Sequence, residues 1–133
     1  MNTVFRCAIN LEPTGKGRPR MGKSGAYTPE ATREWTKSAV AILSSARAVQ
    51  GLPCIVVPTA VRMRLYFKQP SSAKGKLAGM PCTKKPDGDN VEKMALDCLV
   101  KAGIIGDDAS VASCSWEKIW STGSGWVDVE VLA

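Results

Sequence analysis

The chain has 133 residues, 44% hydrophobic and 23% charged, with a net charge of +6 and no histidine. That length suits one domain, residues 1–133, with its own core. The missing histidine excludes His-based zinc sites, Ser-His-Asp triads, Cys-His pairs and a histidine general base, leaving carboxylates, lysines, hydroxyls or a metal ion for any catalysis.

Val4 to Leu11 reads as a first strand, with Phe5, Cys7, Ile9 and Leu11 alternating with Arg6, Ala8 and Asn10. No basic segment followed by a long apolar one precedes it, so no signal peptide is expected. No apolar run approaches the ~20 residues of a membrane span, and a cytoplasmic protein is expected. Residues 13–28 form a Gly- and Arg-rich loop. Gly17 to Ser24 is a literal phosphate-loop match, but Gly25 follows where a helix should begin, so the context of that motif is missing. The better reading is a flexible basic arm whose Lys16, Arg18, Arg20 and Lys23 contact a phosphate backbone, with Tyr27 stacking or packing beside them. A plain surface loop is the alternative.

Thr28 is the expected N-cap and Pro29 the first residue of a helix running to about Ala48. Trp35, Ala39, Ile42, Leu43 and Ala46 fall on one face as its core stripe. A second strand covers Ile55 to Lys68. Val61, Met63, Leu65 and Phe67 point one way; Arg62, Arg64, Tyr66 and Lys68 point the other, giving either a DNA-facing surface or a solvated sheet face. Residues 69–85 show no periodicity and read as a long loop, either mobile or functional, kept basic by Lys74, Lys76, Lys84 and Lys85 and suited to ordering on nucleic acid.

Asp89 and Glu92 make a capping-box pattern before a helix whose buried stripe is Val91, Ala95, Cys98, Leu99 and Ala102, with Gly103 as its stop. Residues 110–120 read as a strand with Trp116, Lys118 and Trp120 on one side. After the turn at 121–125, Val127, Val129 and Val131 alternate in a last strand, so the two form a C-terminal β-hairpin. The fold class is α/β in the α+β sense: a small mixed sheet packed against two main helices. The five cysteines form no Cys-x-x-Cys pair and read as reduced thiols, mostly in the core.

Charge is segregated along the chain. Residues 1–86 carry 15 Lys/Arg against 3 Asp/Glu, and residues 87–133 carry 3 against 9. A basic majority beside a compact acidic group suits a metal-dependent enzyme acting on a polyanion. Asp87 and Asp89 precede the second helix, and Asp107 and Asp108 follow it, so a return of the chain would bring both pairs to one place. Clustered carboxylates repel one another and call for a cation. Pro86 and Gly88 favour extended backbone, from which Asp87 and Asp89 can reach one hard ion. Mg²⁺, with Mn²⁺ as a substitute, takes a few carboxylates plus water and substrate oxygens; Asp87, Asp89 and Asp108 can supply the protein share. Lys93 can hold a scissile phosphate or stabilise the transition state, with Asp97, on the same helical face, orienting it. The plainer reading of Asp-x-Asp is a helix cap with a solvated neighbour.

The stretch Lys85-Pro86-Asp87-Gly88-Asp89-Asn90-x-x-Lys93-x-x-x-Asp97-x-Leu99, followed by Gly103 and Asp107-Asp108, resembles the signature of RusA-type Holliday-junction resolvases. Arg18-Pro19-Arg20 and Tyr27-Thr28-Pro29 resemble that family's N-terminal pattern less tightly. The resemblance implies a homodimer, encoded by a bacterium, phage or prophage, that cuts four-way DNA junctions with Mg²⁺ by paired nicks. It implies Asp87, Asp89 and Asp108 as metal-binding catalytic acids and Lys93 as the catalytic lysine, with Asp107, Asn90 and Asp97 supporting. Trp116, Trp120 and Trp126 read as core or interface residues. The competing reading is a non-catalytic DNA-binding module with a structural acidic cluster; a sugar-nucleotide transferase is disfavoured by the short chain.

Overall fold

In a computed structural model, which describes residues 1–133, the alternating segments become strands and the 3.6-periodic ones helices. The order is β1 (Thr3–Ile9), β2 (Arg20–Gly22), β3 (Gly25–Tyr27), α1 (Glu30–Gln50), β4 (Thr59–Phe67), α2 (Gly88–Lys101), β5 (Val111–Trp120) and β6 (Trp126–Leu132). Four strands form a mixed sheet in the order β1-β6-β4-β5. β6 is antiparallel to both β1 and β4, whereas β5 is parallel to β4. A parallel neighbour requires a long crossover, and α2 with its connections is that crossover.

The two C-terminal strands are joined by a short turn and run in opposite directions, as a hairpin would, but they do not pair with each other. β4 lies between them and takes the hydrogen bonds of both. The reason is burial. Val61, Met63, Leu65 and Phe67 of β4 are all at most 2% exposed, so this strand belongs at the centre, with neighbours on both edges.

Both helices cover one sheet face. Ala39 and Leu43 of α1 and Val91, Ala95, Cys98 and Leu99 of α2 join Phe5, Cys7 and Ile9 of β1 and Val127, Val129 and Val131 of β6 in one hydrophobic cluster. Trp35, Ile42 and Ala46 pack against it. Pro29, rather than Thr28, occupies the cap position of α1, without a side-chain bond, and Gly51 ends the helix at φ 61°.

Two segments expected as loops are structured. Within residues 13–28, β2 and β3 pair as a small hairpin, with Arg20 opposite Tyr27. Lys23 and Ser24 form its turn, not the start of a helix, so the phosphate-loop match is a coincidence of letters. In the connection 69–85, the Gln69 amide donates to the Ser121 carbonyl (2.8 Å) and its oxygen accepts from the Leu77 N–H (2.9 Å). The Gly79 and Cys82 N–H groups donate to the Trp120 and Lys118 carbonyls. This segment covers the end of edge strand β5, which satisfies backbone groups that periodicity alone does not reveal. All five cysteines are free: Cys7, Cys82 and Cys98 buried, Cys114 half-buried and Cys54 exposed. No helix is long and apolar enough to cross a membrane.

Candidate active site

α2 fixes the acidic residues. Its apolar stripe holds it on the sheet, and Gly103, at φ 72°, turns the chain out after it. Its first residue, Gly88, is buried against the Trp116 indole, and a Cβ there would run into the ring. Gly88 therefore serves close approach, not the extended freedom read from the sequence. Asp87 takes the N-cap position in extended backbone, and Asp89 lies in the first helical turn. The expected Asp89–Glu92 capping box is not formed, because Asp89 is already helical and Asp87 takes the cap position.

Asp87 makes no side-chain cap bond; its carboxylate accepts from Lys85 Nζ at 2.8 Å. That hydrogen bond and charge, with Lys118 adding to them, hold Asp87 below the ordinary carboxylate range. Asp89 is exposed at the positive end of the helix dipole, where a carboxylate is favoured. α2 begins beside Trp116, midway along β5, and Lys118 donates to the Lys84 carbonyl, so the chain enters the helix over the C-terminal half of β5.

The second acidic pair is elsewhere. Gly88 lies against Trp116, Glu92 against Cys114, and Asp97 within electrostatic reach of Asp108, so α2 runs antiparallel to β5. Asp89 and Asp97 are eight residues apart, about 12 Å of helix rise. The return of the chain thus brings Asp107 and Asp108 to the far half of α2 and does not unite the two pairs. Asp107 accepts from the Ala109 N–H (3.0 Å), which lowers its pKa, while the hydrogen bond and charge of Asp107 raise that of Asp108. No three acidic or thiol side chains converge closely enough to hold an ion.

The cations divide into paired and free ones. Arg62 meets Glu130 (3.5 Å) and Arg64 meets Glu117 (3.0 Å), beside an Arg6–Asp128 pair (2.9 Å). The basic face expected on β4 is therefore balanced by acids on its neighbours. Lys16 pairs with Asp97 at 2.9 Å, so Asp97 does not orient Lys93 as expected; Lys93 is exposed and makes no ion pair. Arg18, Arg20, Lys68, Lys74, Lys76 and Lys84 are exposed and make no ion pair. Gly15 lies against Asn90, which brings the basic N-terminal loop over the first turn of α2.

Two members of this site were not assigned to it from sequence. Lys118 acts on Asp87 and donates to the Lys84 carbonyl, and Trp116 forms the wall behind Gly88. The only signal was their shared side of β5, which does not tell a core face from a site.

The donor set fits a hard cation. Asp87 and Asp89 offer only oxygen and are solvent-exposed, and Mg²⁺ binds through one or two carboxylates while completing its shell with water and substrate phosphate oxygens. Such a site can hold an ion against a phosphodiester without a closed protein cage. The family model described as endodeoxyribonuclease RusA matches residues 10–131. No curated protein matches the chain significantly.

Proposed function

The chain belongs to the RusA endodeoxyribonuclease family, and from that premise we propose that it is a Mg²⁺-dependent nuclease resolving four-way DNA junctions by paired symmetric nicks. The observation that carries this reading is the placement of the Lys85–Lys93 stretch. It lies at the N-terminus of α2, over the middle of β5, with exposed carboxylates and an unpaired lysine.

Asp87 and Asp89 would hold the ion. Asp108 is assigned as the third carboxylate by motif position, since within one chain it stands about two turns of α2 from Asp89. When bound, Mg²⁺ supplies positive charge to the phosphodiester and activation of a water molecule. The protein's own groups do the rest. Lys93 offers its ammonium to the scissile phosphate, where no carboxylate competes for it. Lys85 and Lys118 lower the pKa of Asp87, and the Lys85 ammonium has to give up its carboxylate contact for an ion to bind there. Asn90, beneath Gly15, ties the basic N-terminal loop to the site. Arg18 and Arg20 then hold the backbone by charge, so selectivity rests on junction shape rather than base edges. A homodimer would offer two equivalent sites for two symmetric strands.

The test compares a four-way junction, linear duplex and single strand, each with and without Mg²⁺. The reading expects junction-selective cleavage only with the ion. Salt-sensitive binding without cleavage in any divalent ion would instead identify a non-catalytic DNA-binding module.

A further inference from the structure

We infer that the groove between α1 and α2 is a second binding site for the DNA phosphodiester backbone, separate from the acidic site. This inference rests on the junction-nuclease reading and extends it to cations that neither the motif nor the basic strand face includes. The groove has a volume of about 430 Å³, and its charged lining is Lys16, Arg33, Lys37, Lys101 and Asp97. Only Lys16 has its charge matched, by Asp97. Arg33, Lys37 and Lys101 are exposed and form no ion pair. Three unmatched cations around one concavity repel each other and raise the local potential, which a polyanion relieves. The contrast with β4 is direct: there, Arg62 and Arg64 already have carboxylate partners.

The ligand class follows from the lining. Arg33 and Lys37 are four residues apart on α1, so they form a row along the groove, and Lys101 faces them from the last turn of α2. Charges spread along a track suit successive phosphates better than one compact phosphate group. Thr28 adds a hydroxyl suited to a phosphate oxygen, whereas that of Thr36 already donates to the Met94 sulfur. The lining contains no aromatic ring on which the base of a free nucleotide could stack.

Position links the groove to the cut. Asp97 lines it and shares one exposed face of α2 with Lys93 and Asp89. The ~12 Å rise from Asp89 to Asp97 corresponds to about three to four nucleotides at 3.4 Å per step. A strand leaving the acidic site along α2 would therefore enter the groove within that span.

The test is the triple variant Arg33→Ala/Lys37→Ala/Lys101→Ala, in which every altered side chain is exposed. Junction affinity is measured by titration across a salt series without divalent ion, beside the unaltered protein. Three lost phosphate contacts should weaken binding at least tenfold at low salt and reduce the slope of log K against log salt by about 2.7. As a second readout, a neutral methylphosphonate about three to four nucleotides from the cut should weaken the unaltered protein but not the variant. Affinity within twofold and an unchanged slope would overturn the groove while leaving the nuclease reading standing. If the unaltered protein bound no junction at all, the nuclease reading itself would fall.

Discussion

Lys93 carries a charge that no side chain of the protein balances, within the first two turns of the helix that presents Asp87 and Asp89. An unpaired ammonium beside carboxylates is suited to a phosphate, and its worth should be greatest when charge develops in the transition state. Lys93→Ala should lower the junction cleavage rate by about 10²–10³-fold while junction binding changes little; normal single-turnover cleavage would remove it from the mechanism. The cysteines make a separate test of the packing. Burial raises Cys7, lifts Cys98 to about 11 and, with Glu92 assisting, Cys114 to about 12. A raised thiol pKa keeps the unreactive protonated form at pH 8, and reactivity appears only as pH climbs toward those values. Thiol titration of the native protein at pH 8 should therefore modify Cys54 rapidly and the others slowly. Equal rapid reaction of all five would contradict the described core.

At the scale of elements, α2 and β5 are one unit joined at Gly88 and Trp116. Gly88→Ala places a methyl group against a large, rigid ring, and overpacking of this kind costs about 1–3 kcal/mol. It should lower the denaturation midpoint and, by displacing the first turn of α2, reduce cleavage more than Ala substitution at an exposed α2 position. An unchanged midpoint would mean that the approach is looser than described. This contact also shows where the sequence was legible. Helical and strand periodicities located the core stripes of α1, α2, β4 and β6, because those patterns report burial directly. Strand neighbours were not legible: the short 121–125 turn suggests a hairpin, and only the burial demand of β4 explains why it lies between β5 and β6. Gly88 looked like backbone freedom because its neighbour, Trp116, is 28 positions away in the chain.

Across the whole molecule, charge that is segregated along the sequence is intermixed in space: all five ion pairs join a cation of residues 1–86 to an acid of residues 87–133. Arg62 and Arg64 look like a basic face until the strands are assembled and Glu130 and Glu117 meet them. Exposed pairs of this kind contribute little to stability, and their charge is locally cancelled. Arg62→Ala/Arg64→Ala should thus alter junction affinity by no more than about threefold and the salt slope by less than one; a loss of two in the slope would return β4 to the DNA interface. The acidic site was legible in type, because the Pro-Asp-Gly-Asp-Asn run and Lys93 sit together in the chain. Its geometry was not, because the distance between Asp89 and Asp108 depends on how α2 lies over β5.

The central claim is that the Asp87–Asp89 pair at the start of α2 is the catalytic centre of a junction nuclease. Asp89→Asn tests it most directly, since it keeps the shape of an exposed side chain and removes its charge. Assayed with Mg²⁺ on a four-way junction, this variant should bind about as tightly as the unaltered protein and cut on the order of 10³-fold more slowly or not at all. Cleavage at the normal rate would show that the chemistry is carried elsewhere.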